Sequence, residues 1–194
     1  YAAQIEGSEI LSKLKIKEGK YIVASIHREE NLDIKDNFKN IISGVSKVSK
    51  LYGFPVIFST HPRTRKKIES LNINIDSIQF IKPLGFFDYV RLQSKALITL
   101  SDSGTISEES AMMGFPAVSV RTSTERPEAI DYGSIVLGNI DEDSIVQSVE
   151  IAIGTFATEK MQTPSQYQAL DVSSRIIRVI QSYTTVVKRE IWKQ

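Results

Sequence analysis

The sequence predicts a Rossmann-like α/β fold, a doubly wound layer of about six parallel strands, and three observations carry that prediction. Short apolar runs of strand length alternate strictly with stretches of helical period. The first of those runs, Tyr21–Ile26, is almost wholly apolar, as a strand covered on both faces is. Glycine and proline stand where helices stop and restart. Alternation of this kind joins parallel strands by right-handed crossovers, which wind helices onto both faces of the sheet.

Tyr21–Ile26 is the first such run and the first strand. Asp36 or Asn37 then caps a helix whose apolar positions are Phe38, Ile41, Ile42, Val45 and Val48, a helical period. Gly53 ends it, and Phe54–Ser59 is the second strand. Pro62 opens a basic helix that runs to Leu71. Further strands are expected at Ile78–Ile81, Ala96–Leu100, Ala117–Val120 and Ile135–Leu137, with helices at Phe86–Ser94, Ile106–Met113 and Arg126–Asp131 between them. After Gly138 helical patterns dominate, over Glu142–Ile153, Ser165–Leu170 and Ser173–Tyr183, so that residues 163–194 read as a helical tail. The tail carries the only tryptophan, Trp192, which must either pack on something or sit exposed.

The bulk composition excludes several classes. The 24 Lys+Arg against 23 Asp+Glu leave a net charge of +1, which provides no electrostatic footprint for nucleic acid or an anionic membrane. The basic cluster Arg63, Arg65, Lys66 and Lys67 fits a solvated helix face. Without cysteine there is no disulfide framework or thiolate metal site, and two histidines make a zinc site unexpected. No apolar run approaches the ~18 residues of a membrane span. No signal-like segment opens the chain, and a cytoplasmic location is expected.

Ligands of open α/β sheets sit at the carboxyl ends of the strands. His27 follows the first strand directly, His61 the second, Asp102 and Ser103 the fourth, and Arg121 the fifth. Polar side chains from four strands thus converge on one edge. At its centre, Ser101-Asp102-Ser103-Gly104-Thr105 joins a strand to a helix start, where exposed N–H groups and the helix dipole favour an anion such as phosphate. Thr105-Ile106-Ser107-Glu108 also fits a capping box, which would only start a helix. That reading leaves Gly104 and Glu109 unexplained. Gly104 permits close approach of a ligand, and a carboxylate about one turn into such a helix can accept both hydroxyls of a ribose diol. Each remaining residue has a plain alternative. His27 could bond loop backbone, Arg28 could pair with Glu29 or Glu30, and His61 could be a turn residue. Arg126-Pro127-Glu128 could merely begin a helix. No Walker loop, G-x-G-x-x-G fingerprint or G-x-S-x-G elbow is present. The residues by themselves therefore imply a phosphorylated ligand, with a nucleotide as one candidate.

At these positions the chain resembles the non-hydrolysing UDP-N-acetylglucosamine 2-epimerase family. The matching segments are Ile26-His27-Arg28-Glu29-Glu30-Asn31, Ser59-Thr60-His61-Pro62, Ser101-Asp102-Ser103-Gly104 through Glu108-Glu109, and Thr124-Glu125-Arg126-Pro127-Glu128. The resemblance implies the second domain of a two-domain GT-B-like fold, with the ligand in the cleft between domains. It implies elimination of UDP from C1 and C2 to a 2-acetamidoglycal, followed by re-addition, with no metal and no redox cofactor. His27 would lie near the departing diphosphate or act in acid–base chemistry, and Arg28 would neutralise phosphate. Ser103, Gly104 and Thr105 would hold phosphate through hydroxyl and N–H groups. Glu109 would take the ribose and Tyr89 would lie near uracil. Arg121, Glu125, Arg126 and Glu128 would line the sugar–diphosphate side. His61 matches a histidine tied in some members to a regulatory nucleotide-sugar site.

Gly104-Thr105 replaces a Gly-Gly of the family, and His27-Arg28-Glu29-Glu30 replaces a common His-Arg-Arg-Glu. These details resemble the branch that makes UDP-N-acetyl-L-fucosamine from its talose epimer, in capsule or O-antigen synthesis. The implied partners are a UDP-sugar, a first domain bearing the catalytic carboxylates and, for the complete enzyme, a second copy. A fragment of this kind is expected to bind UDP but not to epimerise. The rival readings are the donor-binding half of a GT-B glycosyltransferase and a non-catalytic nucleotide-binding module.

Overall fold

In a computed structural model, residues 1–34, 36–159 and 162–193 are described. Two short helices, α1 (Ala2–Glu6) and α2 (Ile10–Lys13), precede β1 (Ile22–Ser25). There follow α3 (Glu29–Asp33), α4 (Asn37–Tyr52), β2 (Val56–Ser59), α5 (Pro62–Ser70), β3 (Ile78–Ile81) and α6 (Phe86–Ser94). Then come β4 (Ile98–Ser101), α7 (Ile106–Met113), β5 (Ala117–Ser119), α8 (Pro127–Asp131), β6 (Val136–Leu137) and α9 (Glu142–Thr158). The chain divides into two compact units, Tyr1–Thr163 and Pro164–Gln194.

All six strands of the first unit pair in parallel, in the order β3-β2-β1-β4-β5-β6. Because side chains alternate across a strand, β1 splits its apolar run between two cores. Ile22 and Ala24 join α4 and α9 through Phe38, Ile41, Val45, Ile145 and Val149. Val23 faces the other way and joins Ile10 of α2, Leu92 of α6 and Tyr21. This two-sided burial is why the strands read as continuous apolar runs. The short helices α1, α2 and α3 have too few periodic positions to stand out in the sequence.

The two ends of α4 compare differently with expectation: its C-terminus agrees and its N-terminus does not. Gly53 ends α4 in the left-handed conformation, φ 68°, and its N–H reaches the Ser49 carbonyl. Asp36 occupies the position before α4, but with φ 68° its side chain makes no cap bond. A side-chain cap needs extended backbone at that residue. Asn37 Nδ2 instead donates to the Glu30 carbonyl at 2.9 Å, tying α4 to α3.

In the second unit, the helix expected over Ser165–Leu170 is only a 3₁₀ turn at Ser165–Tyr167. So short a segment, preceded by Pro164 and without an apolar stripe, does not repay helix nucleation. The last helix, α10 (Val172–Glu190), is longer than expected. An Asp171–Arg175 pair at 2.8 Å supports its start, and Lys188 and Arg189 complement its C-terminal dipole. Trp192 just beyond it is 60% exposed. No helix of the described residues is long and apolar enough to cross a membrane.

Candidate functional site

The strand order reverses between β1 and β4, since the chain fills one side with β2 and β3 before crossing to β4. In doubly wound sheets that reversal opens a crevice at the carboxyl edge. The register pairs Ser25 with Ser101, so both strands stop level with each other. His27 and Asp102 then meet, although 75 residues separate them.

Asp102 is the hub of the crevice. Its carboxylate is fully buried and accepts the His27 N–H at 3.0 Å, the Arg28 N–H at 2.8 Å and the Asn31 amide at 3.0 Å. His27 Nδ1 lies 3.2 Å from the other oxygen. With Nδ1 turned to a carboxylate, Nε2 is the nitrogen left for a ligand. The Arg28 guanidinium closes the loop by donating from Nε to the Asp102 carbonyl at 2.8 Å, and Nη1 approaches Glu30 at 3.3 Å. Asn31, 2% exposed, also donates to the Val120 carbonyl at 3.2 Å, so one amide joins β1, β4 and β5 at their ends. The donors after β1 thus already hold an anion, and it belongs to the protein.

The wall formed by α7 is built differently. Thr105 precedes α7 in a helical conformation without a side-chain cap, so the capping box is not formed. Its hydroxyl lies 3.0 Å from that of Ser103. The Ser103 N–H donates to Ser101 Oγ at 3.1 Å, which leaves the Ser103 hydroxyl as its outward-facing group. Glu108, the fourth residue of the expected box, accepts from Arg126 Nε at 2.5 Å. That pair lays the guanidinium over Gly104, where a Cβ would stand 2.6 Å from Arg126 Nη1. The requirement for glycine here is met by a neighbouring side chain within the protein.

Glu109 is half-buried on α7. Burial pushes its carboxyl above the usual range, while hydrogen bonds from Gln93 and Thr105 pull it back. Tyr89 shares this region. Burial raises its phenol to about 12, against a hydrogen bond with Ser25, and it feels the charges of Glu109 and Asp102. Tyr89 also packs on the core around Tyr21 and Leu92. Tyr89 thus packs on the core and at the same time borders a cleft. Together with Ser25, His27, Ser59, His61, Pro83 and Leu84 it lines an open cleft of about 230 Å³. This is below the ~300–1,000 Å³ typical of a complete small-molecule site.

His61 is the residue before Pro62 at the start of α5, and its Nδ1 accepts the Arg63 N–H at 3.4 Å. It is both a helix cap and a cleft residue. On the far side, Arg121 is 4% exposed and donates both Nη groups to Glu125 at 2.8 and 2.7 Å. The paired guanidinium draws the Glu125 carboxyl down to about 2. Glu128 lies half-buried in the first turn of α8.

A family model described as UDP-N-acetylglucosamine 2-epimerase matches residues 1–181. The chain belongs to this family. A UDP-N-acetylglucosamine 2-epimerase of Methanocaldococcus jannaschii is 30% identical over 165 residues, 82% of this chain and 44% of that protein. The crystal structure of the UDP-N-acetylglucosamine 2-epimerase of Rickettsia bellii matches with TM-score 0.80 and 32% identity, covering all of this chain and 52% of that one. That of the M. jannaschii enzyme in complex with UDP-GlcNAc and UDP matches with TM-score 0.78 and 28% identity, covering 92% of this chain and 50% of that one. The chain spans about half the length of these proteins.

Within this 2-epimerase fold, the structure brings His27, His61 and Tyr89 into one cleft, and Ser103, Thr105 and Glu109 into one polar chain. Arg28 is drawn to Asp102, and Arg121 is engaged by Glu125. Sequence reasoning passed over Asp102 as a hub, Asn31 as a tie and Gln93 as a partner of Glu109. Asp102 had a signal: a charged residue directly after a strand apolar on both faces must find donors. Gln93 had only its break in the apolar stripe of α6.

Proposed function

We propose that this chain is the UDP-binding half of a UDP-N-acetylhexosamine 2-epimerase. The observation that carries the reading is the placement of His27, Ser103 and Glu109 around the β1–β4 crevice, with Asp102 fixing the first of them. In the reaction, a base removes the C2 proton while the C1–O bond to UDP breaks, leaving a 2-acetamidoglycal and free UDP. Reprotonation of C2 from the opposite face and return of a UDP phosphate oxygen to C1 give the epimer, with no net redox change. His27 lies beside the departing diphosphate, through Nε2, and serves there as hydrogen-bond donor or acid. Arg28 and the Ser103 hydroxyl receive phosphate charge. Glu109 accepts the ribose hydroxyls and Tyr89 borders the uracil.

The carboxylates that move the C2 proton belong, in this reading, to a first domain, and the full-length enzyme is a cytoplasmic homodimer. The departures at Gly104-Thr105 and His27–Glu30 favour the UDP-N-acetyl-L-talosamine and fucosamine pair over UDP-GlcNAc and UDP-ManNAc. Calorimetric titration of this chain with UDP tests the binding half, and no heat at millimolar UDP would sink it. The full-length protein, given either sugar pair in deuterated water, is expected to incorporate deuterium at C2. Sugar transfer to an acceptor without C2 exchange would favour a glycosyltransferase instead.

A further inference from the structure

Gln93 is 1% exposed, yet it stands in the layer where α6 packs against the sheet among apolar residues such as Val90 and Leu92. It lies four residues after Tyr89, on the same helical face. Its side chain stands beside the Glu109 carboxylate of the neighbouring helix and favours that group's ionised form. A carboxylate offers only acceptors, so the amide must donate from Nε2. Its Oε1 is then buried without a partner. A half-satisfied amide in a dry layer is costly compared with an apolar residue of the same size. Its retention calls for a gain elsewhere, and the group it touches is the ribose carboxylate of the proposed UDP site.

Thr105 stands beside the same carboxylate and also favours its ionised form. It precedes Glu109 by one helical turn and continues to the Ser103 hydroxyl at 3.0 Å. A carboxylate has roughly four lone-pair directions. With Gln93 and Thr105 each occupying one of them, the others remain for a ligand.

We propose that Gln93 and Thr105 are positioning residues that hold the Glu109 carboxylate in the orientation from which both oxygens accept a ribose 2′,3′-diol. The pair thereby selects ribonucleotides over nucleotides lacking those hydroxyls. This rests on the reading of the crevice as a UDP site. Burial by itself drives Glu109 toward its neutral form, which accepts poorly, and the two donors oppose that drift.

The test is calorimetric titration of the chain with UDP and with 2′,3′-dideoxy-UDP. The unmodified chain is expected to prefer UDP by on the order of 10-fold to 100-fold, the worth of two hydrogen bonds to a charged acceptor. In Gln93→Met, which keeps the volume, the preference should fall to within about threefold, with dideoxy-UDP affinity unchanged. A merely structural role for Gln93 would weaken both ligands alike. UDP affinity should rise as Glu109 ionises with increasing pH, and that midpoint should move upward in Gln93→Met, because a donor favouring the ionised form is gone. Thr105→Val, at an exposed residue, should narrow the preference in the same way without disturbing the buried layer, read as the ratio of the two affinities because a lost phosphate contact weakens both nucleotides alike, and it decides if Gln93→Met fails to fold. If both variants keep the preference while Glu109→Gln loses it, the positioning role is wrong and the ribose role stands. If the unmodified chain binds the two nucleotides equally, or binds neither, the ribose reading falls and this proposal with it.

Discussion

Asp102 and Glu125 are carboxylates at the same sheet edge, held in opposite ways. Asp102 is fully buried and its partners are two backbone N–H groups, an amide and an imidazole, all from the segment after β1. Glu125 is 61% exposed and its hydrogen-bond partner is the buried Arg121 guanidinium, with Arg126 Nη1 farther off at 4.0 Å. A carboxylate that satisfies several buried donors is part of the architecture, because its loss strands all of them in a dry site. A solvated carboxylate that covers an arginine is removable: water or another anion can take its place. The difference separates the part of the crevice that is fixed by the fold from the part that solvent or an added anion can rearrange.

The largest expected effect comes from breaking the hub. Asp102→Ala leaves the N–H groups of His27 and Arg28 and the Asn31 amide without an acceptor, which should cost about 3 kcal/mol. A thermal melt should show the midpoint lowered by about 6–12 °C. A loss below about 2 °C would mean that water replaces the carboxylate and that the hub is not structural.

Gly104→Ala is intermediate. The added Cβ meets Arg126 Nη1 at 2.6 Å, but that atom is the end of a flexible side chain. The expected cost is about 1 kcal/mol, with the Arg126–Glu108 pair displaced and not the backbone. Arg126→Ala on the same background should abolish the penalty, measured as a double-mutant cycle. Full additivity would show that Gly104 serves something other than the guanidinium.

The smallest effect belongs to the exposed pair. Glu125→Gln should shift the melting midpoint by less than about 2 °C at pH 7. It frees the Arg121 fork, so the affinity for inorganic pyrophosphate, followed by calorimetry, should rise. The folded-state carboxyl is depressed to about 2 from 4.5, so its stabilising contribution is present above pH 4.5 and lost as pH falls through about 2. The stability difference between the unmodified and Glu125→Gln chains should therefore vanish on acidification. A difference that persists at pH 2 would show that the carboxylate is not what binds Arg121.

Much of the fold was legible because it is written locally. Ile22, Val23 and Ala24 are all fully buried, and strands buried on both faces cannot alternate with polar residues. The ends of α6 and α7 agree with their sequence periods residue for residue. The segment Ser165–Leu170 misled because helical composition without tertiary support does not overcome the cost of nucleation. The convergence of His27 and His61 was legible too, because a parallel sheet sends every strand's carboxyl end to one edge.

Partner choice was not legible in this way. Thr105-Ile106-Ser107-Glu108 has the spacing of a capping box, yet Glu108 takes Arg126 and the Thr105 hydroxyl turns to Ser103. A charge-assisted bond to a guanidinium outcompetes a neutral backbone N–H for the same carboxylate, and nothing in the local spacing records that the guanidinium is near. By itself the sequence determined the strands, the order of layers and the edge where chemistry gathers, since these follow from burial periods within about ten residues. Only the tertiary structure decided that Asp102 is held by His27, Arg28 and Asn31, and that Gln93 meets Glu109. Those pairs depend on ångström-scale approach between elements up to 75 residues apart, set by sheet register and helix packing.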